Sequence, residues 1–172
     1  MEVLITQRKL TDSEITTLIH DGKFFPHVAY VSRSRWQSLS QPYIVEVDGV
    51  FAGVCAAYHF DKWIKLGPLE VLKLYHGKGV GKILLQKIVN DNKDLNIFIA
   101  SSNPSVKHII ESFKFTPISN ILSLPKEVKL FLLEKIFEHL SFNFFYEGLR
   151  KNFFLLRRDV KYYIKGPTNS KK

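Results

Sequence analysis

Cysteine is nearly absent: Cys55 is the one thiol in 172 residues. That excludes an intrachain disulfide framework and any zinc cluster built on cysteine, and it suits a reducing compartment such as the cytoplasm. Long apolar runs are missing too. The Phe-rich stretch from Val128 to Leu156 comes nearest. Glu134, Lys135, Glu138, His139, Glu147, Arg150 and Lys151 interrupt it too often for a membrane span. Met1-Glu2-Val3 opens without a basic and then apolar segment, so no secretion signal is expected. There is no internal repeat and no long linker. Acids are in deficit, with 16 Asp and Glu against 25 Lys and Arg. The imbalance gathers at the end: after Leu149 stand eight Lys or Arg and a single acid, Asp159. Such an end fits a solvated face, and it also fits RNA, anionic lipid or the phosphates of a cofactor.

What is present suffices for one folded domain. An apolar fraction of 45% with 13% aromatics can fill a core. Residues 1–165 read as a single domain and 166–172 as a polar, turn-forming tail.

Val3-Leu4-Ile5 begins an opening strand. Thr11 or Asp12 caps a helix that carries Ile15, Leu18 and Ile19 on one side and ends near Gly22. Lys23 to Gln41 has no clear period and reads as loop with short helix. Tyr43 to Val47 alternates, Asp48-Gly49 supplies a two-residue turn, and Val50 to Tyr58 returns as a hairpin. Lys62 to Leu72 continues the meander. Val80, Ile83, Leu84, Leu85, Ile88 and Val89 then recur at helical spacing. Asn96 to Ala100 is a short buried strand. Asn103 as cap and Pro104 at the first helical position open a further helix with Val106, Ile109, Ile110 and Phe113. An antiparallel meander followed by strand-helix-strand-helix is an α/β pattern with a mixed sheet. Pro125 to Leu140 forms an added amphipathic helix towards the C-terminus. Phe153 to Ile164 reads as a closing strand.

The segment with chemistry in it is His76-Gly77-Lys78-Gly79-Val80-Gly81-Lys82. Alternate glycines at a strand-to-helix turn leave backbone N–H groups bare and let a ligand approach the chain. With the partial positive charge of a helix N-terminus they make a pyrophosphate site, which Lys78 and Lys82 supplement. Two other phosphate loops are excluded. Gly81-Lys82 is followed by Ile83, so the hydroxyl of a Walker loop is missing. The dinucleotide fingerprint needs glycine at 82 or 84, where Lys82 and Leu84 stand.

From about Tyr43 to Phe115 the chain resembles the GNAT superfamily of acyl-CoA-dependent N-acyltransferases. The family's Arg/Gln-x-x-Gly-x-Gly/Ala motif falls on His76 through Gly81, with His in the first place. Val71 and Leu72 match the end of the strand that pairs with the pantetheine arm. Asn103, Val106, Ile110 and Lys114-Phe115 match the family's downstream helix. The resemblance implies acetyl-CoA or another acyl-CoA as co-substrate, no metal, and direct transfer to an amine in a ternary complex. It implies cofactor contacts from Val71, Leu72, the loop 76–82 and Asn103. A backbone N–H near Leu72 would stabilise the developing oxyanion.

The departures fall on catalysis. The family's tyrosine acid aligns with Ile110, which has no proton to give. His108 is a candidate replacement, although two helical residues turn it about 160° from position 110. Tyr58 and Tyr75 are further hydroxyls, and a CoA thiolate leaves tolerably without an acid. Glu70, beside Val71, is the leading candidate base. Glu46 is a second, expected on the polar face of its strand, and His59 a third through water. Cys55 reads as a small core residue. The acceptor is left open: an amine-bearing small molecule, a peptide or protein, or an RNA-borne amine drawn by the basic end. A fold that has lost catalysis and a homodimer are both compatible with this reading. Lys23 to Gln41 and Pro117 to Gly148 are expected to wall the acceptor site.

Overall fold

The computed structural model describes residues 1–23, 31–138 and 160–168. Seven strands form one sheet in the order β1-β2-β3-β4-β5-β7-β6. β1 (Val3–Gln7), β2 (Tyr43–Val47), β3 (Val50–Phe60) and β4 (Trp63–Val71) make the antiparallel meander. β5 (Asn96–Ser101) joins β4 in parallel, and β7 (Lys161–Lys165) lies antiparallel between β5 and the short edge strand β6 (Thr116–Ile118). The mixed α/β architecture is the expected one. The edge strand β6 was not legible, because three residues carry no period.

Helices cover both faces of the sheet. α3 (Val80–Asp91) and α4 (Pro104–Ser112) pack Val80, Leu84, Leu85, Ile88 and Ile110 onto Val45, Val47, Ile64, Leu66, Ile97 and Ile99. On the opposite face α1 (Asp12–Gly22) and α2 (Arg33–Ser38) bring Ile15, Leu18 and Trp36 onto Ile44, Val54 and Ala56. Farther along that face α5 (Lys126–Glu138) sets Val128 with Trp63 and Phe98. Phe131 stacks on Phe60 with ring centroids 4.2 Å apart.

Local chemistry starts each helix where the sequence places it. Thr11 caps α1 in a full capping box with Glu14. Asn103 accepts from the Ser105 N–H at 2.9 Å with Pro104 at the first helical position. α5 is an added helix, but it does not end the fold: the chain returns to the sheet as β7. Residues 153–159, the first part of the expected closing strand, lie outside the described residues.

Gly53 permits the close approach of β3 to β4. A Cβ there would sit 2.5 Å from the Glu70 carbonyl oxygen and 2.9 Å from the Val71 Cα, both backbone atoms that cannot swing aside. Gly53→Ala should therefore lower the unfolding free energy by about 1–3 kcal/mol, as overpacking does. Denaturant titration checks this, and unchanged stability would show that the two strands separate without cost.

Candidate active site

β4 and β5 pair from Trp63↔Asn96 to Leu66↔Ile99, and there the ladder stops. Beyond it β4 stays with β3 while β5 continues along β7. Two local features bend β4 at this point. Gly67 has φ of +109°, and the β3–β4 register slips between Cys55 and Ala57. A bulge of this kind turns a strand away from its neighbour. The two strands therefore open a gap between them.

Alternation decides which backbone groups face that gap. The Leu72 N–H donates to the Ala52 carbonyl at 2.9 Å, so Leu72 and Glu70 direct their backbone groups to β3. Leu69 and Val71 consequently direct theirs the other way, towards β5. The oxyanion donor was expected near Leu72; the Leu72 N–H itself is engaged, and the neighbouring Val71 N–H is the one aimed into the gap. The Val71 carbonyl accepts from His76 Nε2 at 2.7 Å. His76 thus ties the loop to the strand end, a task for which an imidazole at this position is well placed.

The glycine loop lies directly after the strand. Lys73–Tyr75 make one 3₁₀ turn, anchored by the buried Tyr75. Gly77 and Gly79 have φ of +74° and +80°, and a Cβ on either would meet nothing within 4 Å. That combination describes a left-handed backbone with open space over it, where only glycine is relaxed. The N–H groups of Gly77, Gly79, Val80 and Gly81 have no acceptor among the described residues. They precede or begin the twelve-residue helix α3. At Gly81 an added Cβ would make ordinary contact with methyl carbons of Val71 and Ile109, at 3.6 and 3.9 Å, so the loop lies beside these two side chains. Lys78 reaches over the Tyr75 ring at 5.6 Å, and Lys82 is exposed in the first turn of α3. This cradle has the N–H donors, the space and the charge that a pyrophosphate needs. Asn103 caps α4, its side-chain oxygen accepting from the Ser105 N–H.

The candidate catalytic groups separate. Glu70 is buried on β4, in the row Ile44–Val54–Glu70, on the face covered by α1. Its Oε1 would lie 3.0 Å from a Cβ on Gly22, so the end of α1 rests against the carboxylate. In sequence it stands one residue from Val71. Glu46 is engaged elsewhere. Because α1 covers this face, Glu46 is only half-exposed and bonds Arg8 Nη2 at 2.7 Å instead of facing solvent. Arg8 also grips Glu14 at 2.6 Å. Burial opposes the Glu14 carboxylate, yet hydrogen bonds from Arg8 and Thr11 prevail and hold its pKa below the ordinary value. The same bonds, from Glu14 first and then Glu46, raise that of Arg8. His108 is exposed on α4, whereas Ile110 is wholly buried in the core. The position of the family's tyrosine therefore offers no proton and no open space.

A second group at the bend has no sequence signal beyond strand alternation. Lys65, paired with Tyr58 across β3 and β4, donates from Nζ to the Gly67 carbonyl at 2.9 Å. Its Nζ stands 5.3 Å from the centre of the Tyr58 ring, and the Arg35 guanidinium of α2 stands 5.8 Å from that centre. Burial, then Arg35, pushes the Lys65 pKa down to about 8. Cys55 is buried, and its thiol is pushed up to about 12 by that burial. Among the described residues, no helix is long and apolar enough to cross a membrane, and no cluster of His, Cys, Asp and Glu forms a metal site.

Solved structures share this fold at low sequence identity. N-acetylglutamate synthase from Neisseria gonorrhoeae, complexed with coenzyme A and N-acetyl-glutamate, has a TM-score of 0.67 at 19% identity. The match covers 98% of the present chain but 36% of that one, so this chain spans about a third of its length. A diaminobutyrate acetyltransferase from Paenibacillus lautus, with L-2,4-diaminobutyric acid and coenzyme A, has a TM-score of 0.64 at 11% identity, covering 99% and 98% of the two chains. The ribosomal-protein-S18-alanine N-acetyltransferase from Escherichia coli gives 0.58 at 13%, covering 99% and 100%. No curated protein matches the sequence. The model of the acetyltransferase (GNAT) family matches residues 13–114, more than half of the molecule and the whole of the glycine loop, so the chain belongs to that family.

Proposed function

We propose that this protein is an N-acetyltransferase that moves an acetyl group from acetyl-CoA directly to an amine within a ternary complex. The observation that carries the reading is the alignment of the strand gap with the glycine loop. One offers backbone N–H and C=O groups to an extended amide-bearing arm, and the other offers N–H groups to its pyrophosphate. Val71, Leu72, His76, Gly77, Lys78, Gly79, Val80, Gly81 and Lys82 make up this cofactor side. The solved relatives that hold coenzyme A on the same fold support the choice of ligand.

On this reading the Val71 N–H stabilises the negative charge that grows on the thioester oxygen as the amine attacks. Glu70 takes the proton of the acceptor ammonium, directly or through water. The thiolate leaves without a protein acid, since Ile110 occupies the place where the family carries tyrosine. Nothing described in the structure adds to the RNA reading, because Arg150, Lys151, Arg157 and Arg158 lie outside the described residues.

Two measurements test the proposal. Calorimetry should show acetyl-CoA binding by the wild type and its loss in a folded Gly79→Glu variant, which sets a side chain and a negative charge in the pyrophosphate position. Equal binding by both proteins, or none by the wild type, overturns the site. Separately, Glu70→Gln should lower kcat by about 10²–10⁴-fold, the usual share of a general base, and leave acetyl-CoA affinity in place. Unchanged turnover would remove Glu70 from the mechanism, and a wild type that binds acetyl-CoA but acetylates no amine would make the protein a binding module.

A further inference from the structure

Asp21 stands in the last turn of α1, where the negative end of the helix dipole disfavours a carboxylate. Its partner lies outside the helix. The half-buried Asp21 accepts at Oδ2 from the Lys73 backbone N–H, 2.9 Å away and 52 positions along the chain. Lys73 opens the 3₁₀ turn Lys73–Tyr75, and the first N–H groups of a helical turn have no acceptor within it. The residue before such a turn ordinarily supplies one from its side chain. Leu72 occupies that place and has no polar side-chain atom, so the turn carries no cap of its own. Asp21 supplies from α1 the cap that the local sequence lacks.

The capped turn leads straight into the glycine loop. The Tyr75 N–H donates to the Leu72 carbonyl at 2.9 Å, the His76 N–H to the Lys73 carbonyl at 3.1 Å and the Lys78 N–H to the Tyr75 carbonyl at 3.4 Å. These bonds continue from the capped residue as far as Lys78, between Gly77 and Gly79. Glycine holds no backbone conformation by itself, so the cradle takes its shape from what fixes its two ends. One end is α3, and the other is this turn. A loop ordered before its ligand arrives loses less conformational entropy on binding. Resting on the acyl-CoA reading above, we infer that Asp21 is a positioning residue for the cofactor: by capping the turn Lys73–Tyr75 it presets the glycine loop for the pyrophosphate, and so sets the affinity for acetyl-CoA through the Lys73 N–H.

Calorimetry with acetyl-CoA on a cycle of variants tests the assignment. Asp21→Ala should weaken binding about tenfold, the share of one charge-assisted hydrogen bond. Asp21→Asn keeps an oxygen that can accept, without the charge, and should lose only about threefold. Lys73→Pro removes the N–H itself. Proline suits the first position of the turn, because Leu72 before it is extended, with φ of −61° and ψ of 145°. In the Lys73→Pro background Asp21→Ala should change Kd by less than about twofold, since nothing is left for the carboxylate to hold. A folded Asp21→Ala with wild-type affinity overturns the assignment, even where its Tm falls, because the bond would then serve stability alone. So does a tenfold loss that persists in the Lys73→Pro background, which would mean that Asp21 acts by another route. Should Asp21→Ala not fold, Asp21→Asn takes its place in both backgrounds, and an equal loss in the two overturns the assignment in the same way. A wild type that does not bind acetyl-CoA refutes the acyl-CoA reading itself, a result distinct from any difference among the variants.

Discussion

A strand in the middle of a sheet has partners on both sides, and its backbone polarity is spent on them. β4 obeys that rule as far as Leu66 and then breaks it on one side only. From Gly67 onwards it keeps its ladder to β3 and presents Leu69 and Val71 to a space that β5 has left. The departure has to be held open by the rest of the molecule. On the β3 side Gly53 allows an approach that any side chain would block. On the β5 side the parallel strand is drawn off by β7, which takes up its pairing through Ser101. The Val71 carbonyl is meanwhile occupied by an imidazole from the loop itself. The site is thus a consequence of how the sheet divides, and the glycine loop completes it at one end.

Charge is distributed on the same plan. At the sheet edge Arg8, Glu14 and Glu46 satisfy one another, a closed group that joins β1, β2 and α1 and leaves nothing for a ligand. At the bend of β4 the Lys65 ammonium and the Arg35 guanidinium both stand near the Tyr58 ring. The bonds from Arg8 give Glu46 an architectural task.

Much of this was legible from residue patterns. Asp48-Gly49 between alternating runs fixed the hairpin, Thr11 with Glu14 fixed the start of α1, and the glycines at 77, 79 and 81 marked the strand-to-helix cradle. These signals are local, so they survive without tertiary knowledge. The failures were of another kind. Glu46 was read as solvent-facing because alternation gives the face of a strand but not what covers that face; α1 does. The oxyanion donor could be placed only near Leu72, because the motif gives the position while the hydrogen-bonding parity of the strand is not in the sequence. One residue of parity reverses which side a backbone N–H serves. Lys65 gave no signal, since a lysine in an alternating strand looks like any solvated one until Arg35 arrives from thirty residues upstream.

The order of the strands has one more implication, for how the chain is made. β6 has a single neighbour in the sheet, and that neighbour is β7, which is encoded after it and inserted between it and β5. During synthesis the segment from Thr116 to Ile118 therefore emerges with no strand to pair with. It must wait until Lys161–Lys165 has left the ribosome. The meander and its glycine loop have all been synthesised by then, so the sheet edge is the last part of the fold that the chain can complete.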